Sequence, residues 1–201
     1  MRTLILAASA MTLLAAPAFA QSSAGNTVNL QSTVAPACGV GNHISGSGTA
    51  SGWTDYSGGT LNVGTLADGN GQFTAPIVHS NISFGNLWCN NAATVTISVS
   101  PLTTTNSTLD TGSFRNSFDV EITTDAGVYV GQGEDFVLTA QGGGATATAS
   151  GNTGQAFETG TGRYGGAEQI RILPEARAAG GTYRPVAGTY NGTITMTAST
   201  S

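Results

Sequence analysis

Ala92 to Ser100 reads AATVTISVS and alternates without a fault. Val95, Ile97 and Val99 share one parity; Thr94, Thr96 and Ser98 share the other. Successive side chains on a strand point to opposite faces. The stretch therefore predicts a half-buried β-strand, with its aliphatic residues in a core and its hydroxyls in water. Pro101 ends it, because proline has no N–H to give to a ladder.

The same period recurs outward from this strand. Upstream, Ile82, Phe84 and Trp88 predict a strand over Asn81 to Cys89, followed by a turn at Asn90-Asn91. Thr60 to Gly64 predicts a short strand, and Ala67 to Gln72, ADGNGQ, is dense turn chemistry. Gly41 to Gly59 is polar and Gly/Ser-rich and predicts a long loop or irregular hairpin. Downstream, Leu102 to Arg115 predicts loop. Phe118, Val120 and Ile122 alternate with Asp119, Glu121 and Thr123, which predicts a strand with both carboxylates on its solvent face. Val128 to Val130 is short and apolar. Asp135 to Ala140 and Gln169 to Leu173 predict further strands. Residues 145–149 read as an edge strand or a flexible loop. Gly188 to Ala198 places Tyr190, Ile194, Met196 and Ala198 on one face. No window carries helical periodicity. About seven or eight short strands separated by turn signals define an all-β, immunoglobulin-like sandwich.

Composition sets limits on function. The chain has 201 residues, six cationic and eleven acidic side chains, no lysine and a net charge of −5. An acidic chain with sparse charge does not suit a nucleic-acid partner. Charged residues are 8% of the chain, against roughly 25% in ordinary soluble domains; Gly, Ser, Thr, Asn and Ala take their place. Arg2, the apolar run Leu4 to Ala16 and Ala18-Phe19-Ala20 have the order of a secretory signal with a small-x-small cleavage site. Residues 1–20 are thus expected to be removed, leaving one domain over 21–201. The apolar run is short for a bilayer span and no second one follows, so membrane insertion is not expected. Cys38 and Cys89 are the two cysteines. In an exported protein one pair predicts one disulfide. Closing a loop of about 50 residues contributes on the order of 4 kcal/mol through chain entropy.

Gln21 to Cys38, QSSAGNTVNLQSTVAPAC, carries the functional question. Ala24, Val28, Leu30 and Val34 share a parity with Cys38 and Val40, which predicts one long strand with a single apolar side. Its first part has no adjacent hairpin partner. It must pair with a distant strand of its own domain or with another molecule; the pattern alone leaves both open.

Several segments together resemble secreted spore coat protein U domains and archaic-type chaperone–usher pilins. GNTVNLQSTVAPACGVG resembles their opening, an alternating strand running into the first cysteine. GTLNVGTL, Gly59 to Leu66, resembles their "GxLxFG" strand. NISFGNLWCNNAATVTISV, Asn81 to Val99, resembles the segment around their second cysteine. PVAGTYNGTITMTA, Pro185 to Ala198, resembles their closing strand. The match covers both ends and the cysteine framework; the middle, Leu102 to Gly166, shows only generic patterning. The C-terminus, Ala198 to Ser201, lacks the bulky apolar residue such domains often carry.

The resemblance implies an incomplete sandwich that lacks its last strand. A periplasmic chaperone would fill the gap first, and the N-terminal strand of the next pilin subunit would replace it at an outer-membrane usher. Donor residues would be Ala24, Val28 and Leu30, in segment 21–34. The protein would pass through the periplasm to a surface fimbria serving adhesion or biofilm formation. No enzyme activity, metal or cofactor is expected. Glu134-Asp135, Asp119 and Glu121 do not form the flanking carboxyl pair of a glycosidase. Asp68 to Gly71 lacks the later glutamate of a calcium loop. The glycines follow no phosphate-loop pattern. A different class of function is a monomeric secreted sandwich that binds glycans, with Trp53 and Tyr56 as contacts.

Overall fold

The computed structural model describes residues 28–40, 52–55, 58–106, 113–159, 165–174 and 183–201. Ala24 and Tyr56 lie outside them. The chain divides into two units, Met1–Val34 and Ala35–Ser201. In the first, the described residues 28–34 enter no ladder, and Val28, Leu30 and Val34 are exposed by 80%, 93% and 79%. The long strand expected over Ala24 to Cys38 is therefore absent from its described part. Alternating side chains favour extension, but a strand also needs a partner backbone.

The second unit is all-β, with one short 3-10 helix. Its strands are β1 (Cys38–Val40), β2 (Thr54–Asp55), β3 (Ile77–Ser83), β4 (Leu87–Cys89) and β5 (Ala93–Val99). β6 (Leu102–Thr104), β7 (Phe114–Arg115) and β8 (Ser117–Thr124) follow, then the 3-10 helix Asp125–Val130. β9 (Phe136–Ala140), β10 (Ala147–Asn152), β11 (Phe157–Glu158) and β12 (Gly166–Leu173) come next. β13 (Arg184–Pro185), β14 (Tyr190–Asn191) and β15 (Ile194–Thr200) complete the chain.

Two sheets enclose the core. One has the order β10-β5-β15 and is antiparallel throughout. The other has the order β14-β6-β8-β12-β3-β2, with β9 also on β8. Val95, Ile97 and Val99 of β5 pack into one cluster with Phe118, Val120 and Ile122 of β8 and with Ile170 and Ile172 of β12. All eight are buried, as the alternation requires. The Phe118 ring lies 5.0 Å from that of Phe73 and 5.5 Å from that of Tyr190. A third small sheet, β1-β4-β11, carries the disulfide Cys38–Cys89 between directly paired residues. The bridge thus joins two neighbours in one sheet.

Several local expectations change. Asn81 to Cys89 is not one strand. Asn81 has φ 58° and Gly85 φ 89°, both outside extended geometry. The first kinks β3, so Ile82 and Ser83 are both buried; the second separates β3 from β4. Leu87 and Cys89 face inward, and Trp88 is half-buried on the other side. Asp119 is buried, not solvated, and accepts a 2.6 Å bond from the Gly142 amide. Glu121 faces outward and pairs with Arg171. β2, β6 and β7 lie in stretches expected as loop. Residues 147–152 form a regular edge strand in register with β5. Val128 to Val130 belongs to the 3-10 helix, capped by the Thr124 hydroxyl.

Candidate functional site

A groove of about 1010 Å³ opens in the second unit beside β15. Its lining includes Ile82, Leu102, Val120, Ile170 and Ile172, all of them core residues that are at least nine-tenths buried. The groove therefore opens directly onto the interior of the sandwich. Apolar surface reached in this way gains about 25 cal/mol per Å² when water is replaced by a partner.

Two lengths of chain wall the groove. One is residues 59–67, the other residues 185–195. Between 59 and 65 the chain makes no ladder, although Leu61 and Val63 are half-buried and Asn62 is exposed. The segment expected as a strand at Thr60 to Gly64 thus has its side chains faced as expected but enters no ladder. The second wall runs into β15, which pairs with β5 on one side and is the edge of its sheet. A smaller hollow of about 220 Å³ continues along β15. Ile194 and Thr195 line the first opening, and Met196 to Ala198 line the second, opposite Cys38, Gly39 and Val40. The two hollows lie end to end on one strand.

Tyr190 secures the second wall. Its hydroxyl lies 2.9 Å from both the Arg115 and the Val186 carbonyls. Ser100 adds a 2.7 Å bond from the Thr193 amide to its hydroxyl. At the root of the leading segment, the Asn90 carboxamide accepts from the Ala37 amide at 2.7 Å and donates to the Ala35 carbonyl at 2.9 Å. These bonds tie Ala35 and Ala37, just before β1, to Asn90, just after β4.

Trp53, a candidate sugar contact, is half-buried immediately before β2 and does not line the groove. Among the described residues, one cluster of carboxylates has oxygens within 4.8 Å of one another: Asp125, Asp135 and Glu168. Asp125 is buried and accepts a long bond from the Asp135 amide, so it is tied into the turn before β9. No helix among the described residues is long and apolar enough to cross a membrane. The groove itself was not legible in the sequence, because its lining comes from β3, β6, β8 and β12 and the two walls are far apart in the chain.

Compared with known proteins, the chain matches no family model, no curated protein and no solved structure. The groove and the exposed leading segment are thus the features from which function is argued.

Proposed function

We propose that the protein is a structural, non-enzymatic subunit of a surface fibre, assembled head-to-tail by donor-strand exchange. The leading segment of one copy fills the groove of the next. One observation carries this reading. An apolar groove reaches the core between residues 59–65, which enter no ladder, and the free edge of β15, in a chain whose leading segment exposes Val28, Leu30 and Val34 on one parity.

Each side of the contact has what the other lacks. The groove needs an extended backbone with apolar side chains on one face; residues 28–34 alternate in sequence and enter no ladder. Burial contributes about 1.5–3 kcal/mol for each larger side chain, and ladder bonds add to it. Donor and groove occupy different places on the same chain, so the contact propagates as an open polymer and does not close on a dimer. Export through the periplasm, with a chaperone covering the groove before an usher exchanges it, follows from the secretory signal and from the resemblance noted in the sequence. Adhesion or biofilm formation is the role such a fibre serves.

Deletion of Ser22 to Leu30 tests the reading. The truncated protein should stay soluble and folded, fail to polymerise, and still bind a synthetic peptide of residues 22–34. A truncated protein that polymerises as before would refute it.

A further inference from the structure

Residues 59–66 have the side-chain pattern of a strand and the backbone of a loop. Leu61, Val63 and Leu66 pack against the core, while Asn62 and Thr65 face water. Nothing in the local sequence opposes a ladder before Gly64, yet residues 59–65 form none. The whole segment lines the groove. We propose that it is a conditional strand, which takes up its ladder only when the leading segment of a second copy enters the groove. This inference rests on the fibre reading and adds to it a change of state in the acceptor.

The backbone geometry selects the residues involved. On an extended chain the N–H and C=O of one residue point to the same side, and those of the next point to the other. Val63 turns its carbonyl toward β3, where the His79 Nε2 lies 3.4 Å away. Along an extended segment the backbone groups of Asn62 would then be directed away from β3, along the groove, where an incoming strand would lie. His79 is a half-buried residue on β3, held in register against Ile170. It acts as a positioning residue: by holding Val63 it keeps the free side of the segment aimed at the opening. The ladder is short. At Gly64 φ is +87°, and its amide is turned back onto the Asn62 carboxamide at 2.9 Å, so pairing is confined to residues 60–63.

This arrangement makes the filled groove the centre of a continuous sheet. The incoming strand would pair with residues 60–63 on one side and with the edge of β15 on the other. The donor-free subunit has half of that structure already in place, with the apolar side chains packed and only hydrogen bonds to form.

Hydrogen exchange on the full-length chain carrying both Val28→Asp and Leu30→Asp, which keeps its own leading segment out of a neighbour's groove, with and without the synthetic peptide 22–34, tests the proposal. Amides within residues 60–63 should slow by at least ten-fold when the peptide binds, while those of β5, already laddered on both sides, stay unchanged. His79→Leu should weaken peptide binding by about five-fold, the value of one ordinary hydrogen bond, and His79→Gln, which keeps a donor, should recover much of it. If the peptide binds but residues 60–63 exchange as before, the conditional strand is wrong and the fibre reading stands. If the peptide does not bind at all, the fibre reading falls and the conditional strand with it. Full affinity in His79→Leu would remove His79 from the account.

Discussion

Gly151 of β10 lies against the backbone of Val130 so closely that a Cβ on the glycine would sit 2.5 Å from the Val130 Cα. The contact joins the edge strand of one sheet to the end of the 3-10 helix. Gly151 also pairs with Val95, which is fully buried. A side chain here must push apart two backbones, and neither has a rotamer with which to yield.

Gly151→Val should therefore destabilise the fold by about 1–3 kcal/mol, the usual cost of overpacking. Urea denaturation would show this as a lower midpoint at an unchanged slope. A variant as stable as the parent would mean that the helix can lift off β10 freely.

The disulfide closes a loop with a sequence separation of 51. Replacing Cys38 and Cys89 together by alanine should cost about 2–4 kcal/mol, chiefly by freeing the unfolded chain. The same loss should follow reduction of the parent protein, measured by the thermal midpoint with and without dithiothreitol. β1 should be affected first, since it is short and its ladder partner is β4.

Val28 and Leu30 are almost wholly exposed. Val28→Asp and Leu30→Asp should each leave the stability of the subunit within about 0.5 kcal/mol, as surface changes do. On the fibre reading both should block polymer growth, because each would place a charge in the apolar groove of a neighbour. Sedimentation and electron microscopy report the polymer; urea denaturation reports the fold. Loss of stability in either variant would show that these residues pack within their own subunit.

Glu121 and Arg171 meet at 2.6 Å across β8 and β12, with side-chain exposures of 18% and 37%. The pair is partly solvated, and the Glu121 carboxylate also lies 3.4 Å from the Thr139 hydroxyl. Glu121→Gln should cost less than about 1 kcal/mol. The difference from the parent should shrink further as salt is raised.

The strands legible in the sequence are those whose ladders lie between a core and water. β5, β8, β12 and β15 all show their buried parity as plain alternation. The register of β3 was hidden by one residue: Asn81 at positive φ shifts Ile82 and Ser83 into the interior together, and side-chain pattern carries no mark of that. Asp119 reads as polar and therefore exposed, yet it is buried and accepts from an amide of the loop after β9. β2 and β7 each pair in parallel with strands far away in sequence, so no local turn signals them. The candidate site was legible only in one of its walls. GTLNVGTL announces a strand, but the hollow between it and residues 185–195 exists only in three dimensions.

The two walls of the groove come from opposite halves of the polypeptide, near residue 60 and near residue 190. A chain that is still emerging has one bank of this channel and not the other. The channel can form only after the closing strands have docked on β5, through contacts that are remote in sequence and correspondingly slow to form. The groove is thus among the last features the fold acquires, and a half-finished chain has no channel for any occupant.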